Sequence, residues 1–278
     1  PSPPPPPPSP GGGMGPGGAG GWQLRRAGPG DFAALRAAHA GAFPVDYSDS
    51  FFAQAAAGHG RLSSWVAVTP APAGGSPPGQ EGVVGFAVCA RIGHAECGVH
   101  DRGELLGLEL AHALSDSREL VYILTLGVAP PWRRRGLASA LLAEVVAYAR
   151  PLRRCRAVYL HCIRFNGDAL AFYRARGFAV VREIPGYYHL SPDRAPDPAV
   201  LAHSALTLAM YMHGGAPPRT LLELVRDGWL ALAALGSRQA VAGTSDKCPA
   251  ASRSGVSPGG RGDALGAWLR RIFGGGGA

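Results

Sequence analysis

The chain predicts an α/β fold: a mixed, mostly antiparallel sheet with a central parallel strand pair and flanking helices. Three observations carry this. An apolar run, Leu120 to Val128 (LVYILTLGV), is followed after a short turn by an amphipathic stretch, Leu137 to Ala149, and then by a second apolar run, Ala157 to Ile163 (AVYLHCI). Strand, helix and strand at this spacing demand a right-handed crossover, which makes the two strands parallel. Upstream, Trp65 to Val68 and Val83 to Arg91 are two short apolar runs joined by a Pro/Gly/Ser loop at Pro70 to Gly82, the signature of an antiparallel pair. Downstream, Asp168 to Arg176 reads as a helix closed by Gly177 as a left-handed cap, with further strands at Phe178 to Arg182 and Thr207 to Met212.

The remaining elements follow in order. Trp22 to Arg26 (WQLRR) reads as a short first strand. Pro29-Gly30-Asp31 opens a helix with Asp31 as its N-cap, since Phe32, Leu35, Ala38 and His39 recur at helical spacing. Phe43-Pro44-Val45-Asp46-Tyr47 ends it, because a residue before proline is pushed out of the helical region. Ser50 to Ala57 predicts a second short helix. His94 to Glu119 is a long polar connection, helical around Leu105 to Leu110, and Tyr187-Tyr188 fall between the last two strands. In the Leu137 helix, Leu141, Leu142, Val145, Val146 and Ala149 share one face.

Composition sets the outer limits. Of 278 residues, 41 are Gly and 26 Pro, and they crowd the ends. Residues 1–21 are almost wholly Pro, Gly and Ser and cannot bury enough apolar surface to offset chain entropy. The expected organisation is therefore a disordered segment over 1–21, one domain over 22–219, and a tail over 220–278. The net charge is +8, and Lys247 is the sole lysine. No arginine run is interleaved with aromatics as a nucleic-acid stacking platform requires, so nucleic acid is not expected as a partner. The five cysteines, Cys89, Cys97, Cys155, Cys162 and Cys248, form no C-x-x-C pair, which argues against a disulfide framework or a metal site and for a reducing compartment. Cys162 neighbours His161, but adjacent strand residues face opposite ways, so it reads as core packing.

One turn carries chemistry. Arg133-Arg134-Arg135-Gly136-Leu137-Ala138 lies between a strand and a helix and fits R-x-x-G-x-A. Helix N-terminal amides carry partial positive charge, and a glycine there lets a diphosphate approach the backbone. Taken alone, the same residues describe a solvated basic turn ahead of an ordinary helix.

The wider context resembles the GNAT acetyltransferase superfamily. The strand, the RRRGLA turn, the helix, AVYLH and then N-x-x-A-x-x-F-Y-x-x-x-G-F over Asn166 to Phe178 make up the resemblance, which spans Trp22 to His213. It implies acetyl-CoA as the cofactor and CoA as product. Backbone at Leu126, Gly127 and Val128 would pair with the pantetheine arm and, as a bulge, polarise the thioester carbonyl. Amides from Arg134, Arg135 and Gly136 through Leu137 to Ala138 would hold the pyrophosphate, with the arginines, Arg133 included, adding cationic donors around it. Asn166 would contact the cofactor, and Tyr173 would lie near the thioester sulfur.

A finer resemblance joins Phe43 to Tyr47, Tyr122-Ile123-Leu124, Tyr159-Leu160-His161, Tyr187-Tyr188 and Gly214-Gly215-x-Pro217-Pro218 to N-terminal acetyltransferases of the NatF type, with the NatE catalytic subunit next. It implies His161 and Tyr122 as the catalytic pair. Phe43, Pro44, Val45 and Tyr47 would form an apolar slot for the first residue of a peptide, expected to be Met. Tyr187 and Tyr188 would bind the peptide backbone from a hairpin.

The tail segments Thr220 to Ala233 and Asp263 to Phe273 mix apolar residues with charge, and the second pairs Trp268 and Phe273 with Arg270 and Arg271, which suits an anionic membrane surface. The chain is expected to be a monomer in the cytoplasm or on the cytosolic face of the Golgi or plasma membrane, with a plastid as a further possibility. The alternatives in function are a lysine (histone) acetyltransferase of the same fold and a non-catalytic binding module.

Overall fold

A computed structural model describes residues 21–43, 47–69, 82–93, 96–97, 101, 118–190 and 202–217. Its elements are β1 (Gln23–Arg26), α1 (Phe32–Ala42), α2 (Asp49–Ala57), β2 (Leu62–Thr69), β3 (Gly82–Gly93), β4 (Glu119–Val128), α3 (Leu137–Ala149), β5 (Cys155–Ile163), α4 (Gly167–Arg174), β6 (Ala179–His189) and β7 (Ala202–Tyr211). The expected segments at 1–20, 70–81, 105–110 and 220–278, and the Pro44-Val45 pair, lie outside the described residues.

The seven strands form one sheet in the order β1-β2-β3-β4-β5-β7-β6. β4 and β5 are parallel, joined across α3, and the other neighbours are antiparallel, as the strand–helix–strand spacing requires. The sheet buries both faces. Val121 and Ile123 of β4 meet Leu137, Leu141, Leu142 and Val145 of α3 on one side. Leu120, Tyr122 and Leu124 point the other way, toward Leu35 of α1 and Phe51 and Phe52 of α2. Two buried faces explain why β4 reads as an unbroken apolar run rather than an alternating one. Cys162 belongs to the α3 side, and burial pushes its thiol up to about 11, so it is inert packing.

Three local readings are revised. Asp31 does not cap α1 with its side chain. A 3-10 turn over Pro29–Asp31 precedes the helix, and the Asp31 carboxylate accepts from the Gly28 amide (2.7 Å) and from Arg25 (2.7 and 2.9 Å). Helix α2 starts at Asp49, one residue before the expected Ser50, because the Ser48 hydroxyl caps it by accepting from the Phe51 amide. Tyr187 and Tyr188 lie within β6, not on a loop between strands: the pairing with β7 is interrupted after Ile184, Gly186 takes φ +62°, and pairing resumes at Tyr188. A single positive-φ glycine lets the strand bulge and continue.

Gly214 and Gly215 end the sheet for a steric reason. Gly214 has φ +79°, and a Cβ on Gly215 would collide with the carbonyl of Arg156.

Candidate active site

The site begins where the parallel pair separates. β4 and β5 are in register from Glu119↔Cys155 to Ile123↔Leu160 and no further, although both strands continue. The cause is a bulge: Val88 pairs with Thr125 and Cys89 with Ile123, so Leu124 is an extra residue on β4. A bulge bends its strand and raises its twist, which swings Leu124–Val128 away from β5. The bulge therefore lies at Leu124, upstream of the Leu126–Val128 position expected from the resemblance. Among the described residues, the β5-facing edge of Leu126, Gly127 and Val128 has no strand partner, which is what an extended ligand arm pairing with β4 requires.

The turn that follows is held from below and open above. The Arg133 side chain donates from Nε to the Val128 carbonyl (3.1 Å), tying the turn to the end of β4. Arg134 adopts φ +62° and Gly136 φ +85°, so the backbone folds back just before the helix begins. Arg135 stacks its guanidinium 4.9 Å from the Trp132 ring centroid. Leu137 is fully buried and anchors the first turn of α3, while Ala138 packs partly against the same core. No side chain caps α3, and a Cβ on Gly136 would meet nothing within 4 Å. Uncapped amides at a helix N-terminus beside open space form an anion cradle, and three arginines surround this one. These residues fit the diphosphate of acetyl-CoA.

Asn166 and Tyr173 sit on α4, which follows β5. The Asn166 side-chain oxygen accepts from the Ala169 amide (3.1 Å), capping the helix and leaving its NH2 group as the part that can reach a ligand. Tyr173 is buried between Phe172 and Phe178, and burial raises the pKa of its hydroxyl well above the ordinary tyrosine value. Among the described residues that hydroxyl has no hydrogen-bond partner.

On the opposite face of the sheet, Tyr122 of β4 and His161 of β5 meet as expected, with Tyr122 Oη 3.0 Å from His161 Nδ1. The structure adds a third member. Asp101, from the β3–β4 connection, places Oδ1 3.0 Å from His161 Nε2 and takes a longer contact from the Tyr159 hydroxyl on Oδ2 (3.5 Å). Both the His161 and Asp101 side chains are more than nine-tenths buried. An ionised carboxylate can only accept, so Nε2 carries the hydrogen, and in the neutral ring Nδ1 offers its lone pair toward the tyrosines. Sequence reasoning missed Asp101. It lies 60 residues before His161 in a polar connection with no periodicity, and nothing in its neighbourhood marks it.

Burial keeps the surrounding hydroxyls protonated. Tyr122, Tyr159 and Tyr188 are pushed well above the ordinary tyrosine range by desolvation, and Tyr47 to about 12. Tyr187 also lies near His161 Nδ1 (3.1 Å), and Tyr188 donates to the His161 carbonyl (3.2 Å).

Beside this cluster stands an aromatic wall. Phe43 stacks on His39 (4.8 Å between centroids, 21°) and leans on Phe86 (6.0 Å). Tyr47 meets His39 edge-on and stacks on Phe51. Gly127 is the β4 residue under this wall: a Cβ there would lie 2.8 Å from Phe86 Cζ and 3.0 Å from Phe43 Cε2. Its missing side chain thus serves the aromatic face, so only its backbone is available to a ligand on the other side.

Comparison with known proteins agrees with this geometry. A model of the acetyltransferase (GNAT) family matches residues 32–178. The chain is 33% identical over 204 residues to histone acetyltransferase MCC1 of Arabidopsis thaliana, spanning 72% of this chain and 74% of that one. It is 28% identical over 193 residues to N-alpha-acetyltransferase 60 of Xenopus tropicalis, spanning 69% and 70%. Among solved structures it matches Arabidopsis thaliana NAA60 in complex with acetyl-CoA, with a TM-score of 0.56 and 30% identity over 69% of this chain and 99% of that chain. The same protein bound to a bisubstrate analogue gives the same figures. The chain belongs to the GNAT acetyltransferase family: it is an acetyl-CoA-dependent acetyltransferase, similar within that family to N-alpha-acetyltransferases of the NatF type.

Proposed function

We propose that the chain acetylates the α-amino group of protein N-termini, preferring those that begin with Met. The observation that carries this is the buried Tyr122–His161–Asp101 chain beside the Phe43–Tyr47 aromatic wall. A base whose proton-accepting atom is already oriented suits an amine that needs little help. An α-ammonium has a pKa of about 7.7–8.0 against about 10.4 for lysine, so near neutrality it loses its proton at small cost.

Acetyl-CoA, when bound, supplies the acetyl group as a thioester. His161 takes the amine's proton at Nδ1, directly or through Tyr122 and water. Asp101 holds the ring's tautomer and faces the positive charge that appears on it. Tyr173, which would lie beside the departing sulfur, keeps a proton on its hydroxyl oxygen because burial raises its pKa. The turn amides from Arg134 to Ala138 would hold the diphosphate, and Asn166 would offer its NH2 group to the arm. Phe43, Tyr47, Pro44 and Val45 would receive an apolar first side chain, while Tyr188 and Tyr187 close over the peptide.

A lysine reading has one specific support, the similarity to a protein named as a histone acetyltransferase. A peptide carrying both a free N-terminal Met and an internal lysine separates the two. Mass spectrometry is expected to find acetate on the α-amine; acetate only on the lysine would replace this reading with the second.

Membrane attachment belongs to the same proposal. Among the described residues no helix is long and apolar enough to cross a membrane. The Trp- and Arg-bearing segment at 263–273 would instead lie on an anionic cytosolic leaflet, of the Golgi or plasma membrane, and bring the enzyme to membrane-protein N-termini. A fluorescent fusion of residues 215–278 should collect on membranes in cells. A fully soluble fusion would defeat this part and leave the catalytic reading intact.

A further inference from the structure

His161 Nδ1 is approached by two hydroxyls, Tyr122 Oη at 3.0 Å and Tyr187 Oη at 3.1 Å. With Nε2–H committed to Asp101, neutral Nδ1 has one lone pair, and one lone pair accepts one good hydrogen bond. The two hydroxyls converge on this one nitrogen atom from two strands, β4 and β6. The three atoms therefore form a triangle with Nδ1 at its apex, in which only one hydroxyl at a time can donate to the nitrogen.

The two tyrosines are not equivalent. Tyr122 lies in the sheet interior on β4, stacked on Tyr159 (4.7 Å, 26°) and 5% exposed. Tyr187 comes from β6, is only half-buried, and lays its ring against His161 (4.6 Å, 36°) with Tyr188 edge-on behind it. The corner of the triangle nearer solvent belongs to Tyr187.

We propose that Tyr187 is the entry point of the proton path: its hydroxyl takes the proton of the substrate ammonium, directly or through one water, and passes its own to His161 Nδ1, straight or by way of Tyr122. This rests on the α-amine reading above and assigns Tyr187 a task beyond holding the peptide backbone. The step balances. One N–H bond of the ammonium breaks, one O–H bond forms on Tyr187 as another breaks, and one N–H bond forms on Nδ1. The amine ends neutral, the imidazole positive and the tyrosine unchanged. No other reactant is needed. Burial keeps both phenols protonated, so they relay by exchange and not as phenolates. Among the described residues, the groups facing the ring are Asp101, Tyr122, Tyr159 and Tyr187, with Tyr188 on the backbone carbonyl.

The test is Tyr187→Phe, which keeps the ring contacts, assayed on a Met-starting peptide with saturating acetyl-CoA between pH 6.5 and 9.5. Tyr188→Phe is the control, since its hydroxyl bonds the His161 carbonyl and not the ring. Without the relay, only amine that arrives neutral can react, and at pH 7 that is about a tenth of an α-amine of pKa near 8. Tyr187→Phe is therefore expected to lower kcat about tenfold at pH 7 and to approach the wild-type kcat by pH 9, over and above any rise in peptide KM from the lost contact to the peptide backbone. Tyr122→Phe should cost less, because Tyr187 can still reach Nδ1 itself. Three results overturn the relay: a raised KM with unchanged kcat, a kcat loss of equal size at every pH, or the same pH-dependent loss in Tyr188→Phe. Wild-type enzyme that leaves α-amines untouched would instead refute the functional reading beneath it, and that is read before any variant is compared.

Discussion

The two faces of the sheet do their work by different means. On the α3 face, the ligand cradle is made of backbone: the uncapped amides ahead of Leu137, the positive-φ turn at Arg134 and Gly136, and the free edge of β4 beyond Leu124. Every part comes from one stretch between Glu119 and Ala149. On the α1/α2 face, the chemistry is made of side chains, and His161, Tyr122, Tyr187 and Asp101 come from four separate parts of the chain. A backbone cradle tolerates exchange of most side chains but not of its special conformations. A side-chain cluster is the reverse, since it survives small backbone changes and fails when a single donor is lost.

That contrast can be broken at several points. The largest effect is expected from His161→Ala, which should lower kcat by about 10²–10⁴ while acetyl-CoA affinity, measured by calorimetry, stays unchanged. Loss of cofactor binding in this variant would show that the two faces are not separable. Asp101→Asn comes next, at about 10–100-fold in kcat. The amide can donate as well as accept, so it no longer enforces the tautomer that leaves Nδ1 free. Unchanged turnover would mean that the carboxylate is only packing.

Gly136→Val should act on the other face alone. A β-branched residue at φ +85° costs of order 1–3 kcal/mol, so acetyl-CoA affinity is expected to fall about tenfold with kcat at saturation preserved. Gly127→Ala should be milder and confined to the peptide. Its Cβ would press on both Phe86 and Phe43 and shift the aromatic wall, raising peptide KM severalfold while acetyl-CoA affinity stays unchanged; an unchanged peptide KM would remove the wall from substrate binding.

The smallest effect lies outside both sites. Arg25 beside Asp31 holds that carboxyl below its ordinary 3.8. A carboxyl whose pKa is lowered by folding stabilises fully above the unfolded value and loses this as pH falls through the lowered one. Asp31→Asn should therefore reduce thermal stability modestly at pH 7 and make no difference at the acid extreme. Equal melting temperatures at pH 7 would show that solvent screens the pair.

Much of this was legible beforehand, for identifiable reasons. Helix α3 was read over Leu137–Ala149, the bounds the structure has, because its apolar spacing and its entry from the Arg133–Gly136 turn are both local. The parallel pair followed from the length of the crossover. The Tyr122–His161 contact was anticipated through the resemblance. The end of β6 was expected at Arg182, whereas the strand runs to His189, because the positive φ at Gly186 lets pairing with β7 resume at Tyr188. The N-cap of α1 was misread because Asp31 has a stronger partner in Arg25 than in the helix amides.

Sequence alone thus determined what depends on periodicity and on residues within one crossover: the elements, the parallel pair, and the glycine turn that opens α3. Only the tertiary structure decided which nitrogen of His161 is free, that the bulge sits at Leu124, that Asp101 belongs to the site at all, and that Tyr187 reaches the His161 ring. The physical reason is that a hydrogen-bond partner is chosen by the twist and splay of strands brought together from 26 to 60 residues apart. A polar residue in a connection carries no periodic mark of which nitrogen it will meet.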